Sequence, residues 1–335
     1  MSGRIVLVTG GGGFLGSALV RRLVDQGEKV RSFSRTLYPQ LSSWAVEQFQ
    51  GDLTDREAVT AACTGVEAVF HVAAKAGVWG REKDFQAVNV IGTRNVIDAC
   101  RRRKVKRLVY TSSPSVIFHG GNMEGVDESA PYPSRFSAAY PRTKAIAEQS
   151  VLQAARQGLT AVVLRPHLIW GPGDPHLAPR IISRAQRLRR IGEGANRVDT
   201  IYIDNAARAH VLAEAALRQN PALSGRVYFI SQDDPIALWE MIDAILKCGG
   251  LPPVRRRIAP WLAWTIGALC EALYASFRIK GEPPMTRFVA RELSTAHWFD
   301  ISAAKRDLGY APQVSTSEGL ARLAEWLRKE WPGRI

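Results

Sequence analysis

The sequence predicts an α/β fold, a doubly wound parallel sheet joined to a smaller, discontinuous lobe, and two patterns carry that prediction. Short apolar runs of strand type alternate with helix-period segments through the first half of the 335 residues. Such alternation pairs strands in parallel across helical crossovers. Further on, Pro172, Pro175, Pro179, Pro252, Pro253, Pro260, Pro283 and Pro284 punctuate the chain and cut it into loops and short elements. A hydrophobic fraction of 46% is ample for a core in each part.

The clearest strands are Ile5 to Thr9, Val30 to Ser34, Ala68 to Val72 and Leu108 to Ser112, rich in the residues that suit a pleated, buried surface. Helical periodicity covers Gly16 to Gln26 and Val88 to Lys104. A further helix starts near Tyr140, and Ala161 to Arg165 reads as the strand after it. The first domain is therefore assigned 1–165, with returning pieces at 200–232, where Val227 to Ser231 is one more strand. Residues 166–199 and 233–335 form the second lobe and C-terminal helices. Thr316 to Lys329 presents Leu320, Leu323, Ala324 and Leu327 on one face, a stripe that packs back on the body. The chain contains no internal repeat.

Composition narrows the function. Net charge is +14, with basic clusters at Arg101 to Lys106, Arg180 to Arg190 and Arg255 to Arg257. That field attracts acidic partners, but no nucleic-acid recognition motif or basic tail accompanies the clusters, so nucleic acid is not expected. Solvated helix faces, anionic lipid, an acyl carboxylate and an acidic protein are the remaining readings. Met1 to Arg4 lead straight into Ile5-Val6-Leu7-Val8 without the features of a signal peptide, which predicts a cytoplasmic protein. Cys63, Cys100, Cys248 and Cys270 fall in no metal-ligand spacing, and neither a metal site nor a disulfide framework is expected.

Thr9-Gly10-Gly11-Gly12-Gly13-Phe14-Leu15-Gly16 follows the first strand directly. Gly10 suits the tight turn, Gly13 the close approach of backbone to a pyrophosphate, and Gly16 helix-to-strand packing. Phe14 and Leu15 open the helix whose N-terminus faces the phosphates. This is the dinucleotide cradle of a Rossmann domain. The second strand ends at Ser34 and Arg35, where NAD-binding chains place a carboxylate for the ribose hydroxyl. Without that carboxylate, and with a guanidinium to meet a 2′-phosphate, NADP(H) is predicted over NAD(H). Asp52, beside Leu53, either accepts from the adenine amine or caps the helix at Asp55. His71-Val72-Ala73-Ala74 closes the fourth strand, its small residues letting cofactor lie against backbone.

Tyr140 and Lys144 stand at i and i+4 at the start of a helix, on one face and a turn apart. An ammonium beside a phenol lowers its pKa toward the range of a usable acid or base. Lys144 is also placed to hold the nicotinamide ribose. Thr111-Ser112-Ser113 ends a parallel strand, where open α/β sheets put their ligands, and Ser113 rather than Ser112 is expected to meet the substrate oxygen.

With these pieces in place, the chain resembles the extended short-chain dehydrogenase/reductases over nearly its whole length, and especially their 3β-hydroxysteroid dehydrogenase/isomerase branch. Besides Thr9 to Gly16, the resemblance rests on Tyr110 to Ser113, Tyr140 to Lys144 with Ala147-Glu148, Leu164-Arg165-Pro166, Ile169 to Asp174, Tyr202 to Asn205 and Leu308-Gly309-Tyr310. It implies that Ser113, Tyr140 and Lys144 are the catalytic triad, that Asn89 bends a helix near the site, and that Pro166 touches the nicotinamide end through its backbone. Pro114 and Ser115 stand where the family's dehydratases carry an acidic pair, so dehydration is not expected. Ser34 stands where its sugar epimerases usually carry a carboxylate, leaving plain reduction or oxidation.

Within the branch the chain is similar to the bacterial 2-alkyl-3-oxoalkanoate reductases of long-chain olefin biosynthesis. That similarity implies NADPH-dependent reduction of a long-chain β-keto acid, an assembly with olefin-pathway enzymes, and a homodimer. The alternatives are a 3β-hydroxysteroid or 4α-carboxysterol dehydrogenase using NAD(P), and a non-catalytic dinucleotide sensor or scaffold, which the intact Ser113, Tyr140 and Lys144 disfavour. An apolar ligand also suits Trp170, Trp239, Trp261, Trp264, Phe277, Phe288 and Trp298, read as the second lobe's substrate surface. Ile258 to Phe277 is nearly all apolar, with Glu271 its one charge. Packing in the core or substrate lobe is the first expectation for it, and peripheral docking on anionic lipid beside Arg255-Arg256-Arg257 the second. A membrane span is disfavoured by Glu271, Pro260 and Gly267.

Overall fold

In the computed structural model, which describes residues 3–330, the apolar runs assemble into one seven-stranded sheet. Its strands are β1 (Ile5–Thr9), β2 (Lys29–Ser34), β3 (Glu47–Gln50), β4 (Ala68–His71), β5 (Arg107–Thr111), β6 (Ala161–Pro166) and β7 (Val227–Ile230). They lie in the order β3-β2-β1-β4-β5-β6-β7, and every pairing is parallel. Both faces of such a sheet must be covered. Val6 and Val8 point into one core and Leu7 into the other, all fully buried. Helices α1 (Phe14–Asp25) and α5 (Ile203–Gln219) pack together on one side; α2 (Arg56–Ala62), α3 (Gly92–Arg102) and α4 (Ala139–Arg156) pack in series on the other. The chain order reverses between β1 and β4, and a ligand crevice opens at the carboxyl ends of strands at such a switch point.

The second lobe carries a four-stranded sheet of Ile236–Ala237, Arg197–Val198, His297–Phe299 and Met123–Val126. Met123–Val126 thus comes from within the first 165 residues. Helix α6 (Leu238–Cys248) packs against the C-terminal α9 (Thr316–Glu330), which buries Gly319, Leu323 and Leu327. The outermost parts of the two assigned ranges, 1–2 and 331–335, lie outside the described residues.

Three local expectations are corrected. The helix predicted from Val88 to Lys104 begins with a wide π-turn over Gln86–Ile91 before α3, at the residue, Asn89, whose side chain is tied to a neighbouring loop rather than left free on a helix surface. The seven aromatics do not form one substrate surface: Trp170, Trp239 and Phe288 are buried in the core, whereas Trp261, Trp264 and Phe277 are exposed. Nor does the apolar segment after Ile258 pack in the core. It forms α7 (Pro260–Ser276), of which only Ala263 and Gly267 are fully buried. The contact is narrow because α7 crosses the start of the short helix α8 (Arg287–Glu292) backbone to backbone; a Cβ on Gly267 would stand 2.6 Å from the Thr286 carbonyl carbon. Among the described residues, no helix is long and apolar enough to cross a membrane.

Candidate active site

The turn after β1 is built by close approach. Gly10 sits at φ +71°, a region costly for side chains, and the turn closes with the Gly13 amide donating to the Gly10 carbonyl at 2.9 Å. A Cβ on Gly16 would stand 2.0 Å from that same carbonyl oxygen. Gly13 caps α1 without a side-chain hydrogen bond, so the first amides, at Phe14 and Leu15, face the turn bare with the positive end of the helix dipole. Ala73 lies against the turn, its Cα 3.0 Å from where a Gly10 Cβ would be, and its amide donates to Thr9 Oγ1 at 3.2 Å. Ala74 follows, exposed.

At the end of β2 the Ser32 and Ser34 hydroxyls are buried without a partner among the described residues. Arg35 is exposed and makes no ion pair among the described residues. The Tyr38 ring covers Gly12, where a Cβ would come within 2.1 Å of it. Asp52 does not cap the next helix: it accepts from the Thr54 amide (2.8 Å) and hydroxyl (2.7 Å), while Asp55 caps α2 through the Glu57 and Ala58 amides. A turn three residues ahead of the helix is too far back for the capping geometry. Leu53 is buried and would abut any Cβ on Gly92. Pro166 ends β6 opposite Ile230, on the same edge of the sheet. Bare amides at a helix start, glycines that tolerate no Cβ and unpartnered serine hydroxyls fit a dinucleotide laid across the carboxyl ends of β1, β2 and β4.

A buried polar chain stiffens this edge. Thr93 Oγ1 donates to the Asn89 carbonyl at 2.6 Å, so it accepts from His71 Nε2 at 3.0 Å. His71 Nδ1 is then an acceptor for the Thr9 hydroxyl at 2.7 Å. Burial, reinforced by Lys144, pushes His71 down to about 3 from 6.5, so the ring is neutral. His210, also buried, is pushed down to about 4. Because the unfolded state binds these protons first, the stability the neutral rings provide is fully present above pH 6.5 and is lost as pH falls toward the folded values. We expect His71→Gln to flatten the urea midpoint's fall between pH 7 and pH 5; an unchanged slope would refute the assignment.

Tyr140 opens α4, and Ser113 caps the 3-10 turn Pro114–Ile117 just beyond β5, its hydroxyl accepting from the Ser115 amide at 3.2 Å. Poorly solvated surroundings push the Tyr140 phenol up, and the Ser113 hydroxyl opposes this by favouring the phenolate. Ser112 Oγ is buried without a partner among the described residues. Lys144 departs from expectation. Its Nζ donates to the Tyr110 hydroxyl at 2.8 Å and the Thr111 carbonyl at 2.6 Å rather than to Tyr140. Two oxygen acceptors hold the ammonium against β5, and burial pushes it down to about 7 while Glu148 opposes the shift. One turn further, Glu148 is fully buried, paired with Arg165 and accepting from the Tyr132 hydroxyl at 2.6 Å. Asn89 brackets the loop after β4, accepting from the Lys75 amide (2.8 Å) and donating to its carbonyl (3.1 Å) and to Thr143 Oγ1 (3.0 Å); it thereby ties that loop to the helix turn bearing Lys144.

The sequence reading missed His167, His297 and Glu292. His297 donates from Nε2 to the Glu292 carbonyl at 2.9 Å and so accepts from His167 at 2.7 Å through Nδ1. The Glu292 carboxyl, pushed up by loss of solvent, also raises the phenol of Tyr140. No motif spans residues so far apart in the chain. A separate surface cavity of about 520 Å³, lined by Glu193, Asn196 and Pro260 among others, contains none of Ser113, Tyr140 and Lys144.

Comparison with known proteins adds to this geometry. Residues 7–258 match the 3-beta hydroxysteroid dehydrogenase/isomerase family model. A 2-alkyl-3-oxoalkanoate reductase of Stenotrophomonas maltophilia is 51% identical over 95% of this chain and 98% of its own; one of Shewanella oneidensis is 49% identical over 94% of this chain and 84% of its own. Among solved structures, MoeE5 in complex with UDP-glucose and NAD is 27% identical, with a TM-score of 0.74 over 97% of this chain and 99% of that one.

Proposed function

The chain belongs to the 3-beta hydroxysteroid dehydrogenase/isomerase family, and from that membership we propose that it is a cytoplasmic, NADPH-dependent reductase that converts a long-chain 2-alkyl-3-oxoalkanoate to the 2-alkyl-3-hydroxyalkanoate in olefin biosynthesis. The observation that carries the reaction type is the placing of Ser113 just beyond the carboxyl end of β5 and of Tyr140 and Lys144 at the start of α4, with Lys144 held against β5. The names of the relatives support the substrate.

The glycine turn, Ser34 and Arg35 would hold the dinucleotide, whose nicotinamide supplies a hydride to the keto carbon. Ser113 donates a hydrogen bond to the 3-oxygen and fixes it beside Tyr140. The Tyr140 hydroxyl gives its proton to that oxygen as negative charge develops there, completing the alcohol. A phenol whose pKa lies above neutrality is protonated before the reaction, as a general acid must be. Lys144, fixed against Tyr110 and Thr111, stands one turn from Tyr140 on the same helix.

NADPH consumption with a racemic long-chain 2-alkyl-3-oxoalkanoate, measured beside NAD⁺ reduction with a 3β-hydroxysteroid, tests the substrate; turnover with the steroid alone would overturn it. The family match favours that steroid reaction as the second reading. For the cofactor, Arg35→Ala should raise KM for NADPH about ten- to a hundredfold, the loss of charge-assisted bonds to a 2′-phosphate, with little change for NADH. Equal losses with both cofactors would remove Arg35 from that role.

A further inference from the structure

Among the described residues, helix α7 leaves an apolar ridge without a partner. Trp261, Leu269, Leu273 and Phe277 recur at intervals of four or eight residues and are 70%, 60%, 51% and 73% exposed. The opposite stripe, Ala263, Gly267, Cys270 and Tyr274, faces the body. Leu262, Trp264 and Ile266 broaden the ridge and are more than a third exposed. Apolar surface of this extent marks an interaction site.

Charge decides what covers it. Residues 251–290 contain six basic side chains and two acidic ones, and both acids are already paired, Glu271 with Arg287 and Glu282 with Arg180. Arg255, Arg256 and Arg257 before the helix and Arg278 and Lys280 after it are exposed, with no ion pair among the described residues. A 17-residue helix is about 25 Å long, so cationic groups flank the ridge at both ends. That is the layout of a helix lying in the plane of an anionic bilayer: apolar side chains enter the acyl boundary and Arg and Lys reach the phosphates. An oligomer interface of the same chain would instead bring like-charged rims together.

We infer that α7, with its flanking basic residues, docks the protein on anionic membrane surfaces. The docked face adjoins the candidate active site. Tyr274 of α7 meets Trp79 edge-on, with ring centroids 6.5 Å apart, in the loop that Asn89 ties to α4, and α8, beneath α7, ends at Glu292, whose carboxyl raises the phenol of Tyr140.

The test is co-sedimentation of the full chain with mixed phosphatidylcholine–phosphatidylglycerol vesicles and with pure phosphatidylcholine, without substrate. The wild type should sediment with the anionic vesicles. Combined Trp261→Glu, Leu269→Glu and Phe277→Glu should weaken binding at least about tenfold, and Arg255→Glu with Arg256→Glu and Arg257→Glu should do the same by repulsion. Circular dichroism melting checks that each variant folds, and single Leu269→Glu serves if the triple does not. Failure of the wild type to sediment, or binding unaffected by these substitutions, overturns the docking. So does size-exclusion chromatography in which the apolar variants break a homodimer while vesicle binding is unchanged. Because no substrate is present, any of these outcomes leaves the keto-acid reductase reading untouched.

Discussion

Tyr140→Phe is expected to lower kcat for the keto acid by about 10²- to 10⁴-fold, the range supplied by a positioned general acid. The change removes one oxygen and no ring, so the start of α4 and its burial should survive, and cofactor affinity and melting temperature should stay near wild type. Steady-state kinetics with direct titration of cofactor separate the outcomes. A large loss in kcat with normal cofactor binding is the signature of a proton donor; unchanged turnover would remove Tyr140 from the reaction and with it the proposed mechanism. Ser113→Ala should show a smaller loss in the same direction, since it orients the oxygen without supplying the proton.

Glu148→Ala is expected to destabilise the protein by about 3–5 kcal/mol, the cost of leaving one member of a buried ion pair alone. Arg165 is almost wholly buried, and its guanidinium lies 5.8 Å from the Tyr132 ring centroid and 5.2 Å from that of Phe229. It cannot reach water without opening the contact between α4 and β6. Urea unfolding monitored by circular dichroism measures the loss. A change below about 1 kcal/mol, the scale of an exposed pair, would mean that the pair is solvated after all. Glu148 also favours the charged form of Lys144, so the Glu148→Ala variant should titrate Lys144 at lower pH than the wild type does.

What was legible in the sequence follows from the range of the interactions involved. The strands, the glycine turn and Tyr140 with Lys144 are local patterns, fixed by periods of two and of 3.6 residues and by bare backbone at Gly10, Gly13 and Gly16. Their place on a parallel sheet was readable for the same reason. Lys144 illustrates the limit: its i+4 spacing from Tyr140 is visible in the chain, but the acceptors that hold it, Tyr110 and Thr111, belong to β5 and compete with the phenol only once the sheet exists. His167, His297 and Glu292 come together through the second lobe's small sheet, which has no periodic signature. The apolar residues of α7 read first as packing in the core or substrate lobe because hydrophobicity alone does not reveal whether a neighbour is present.

Strand β7 is delivered to the sheet only after the chain has passed through the first stretch of the second lobe, residues 166–199, and returned, and this governs how the chain is born. When β6 leaves the ribosome its outer edge has no hydrogen-bonding neighbour, and about sixty more residues must be translated before β7 arrives, a delay of several seconds at ordinary elongation rates. For that interval the nascent chain offers an open edge of apolar residues, Val162 to Leu164, to any strand nearby. Completion of the cofactor-binding sheet therefore waits on synthesis of that first stretch of the second lobe, so a nascent chain released before β7 is made carries an incomplete sheet as well as an incomplete lobe.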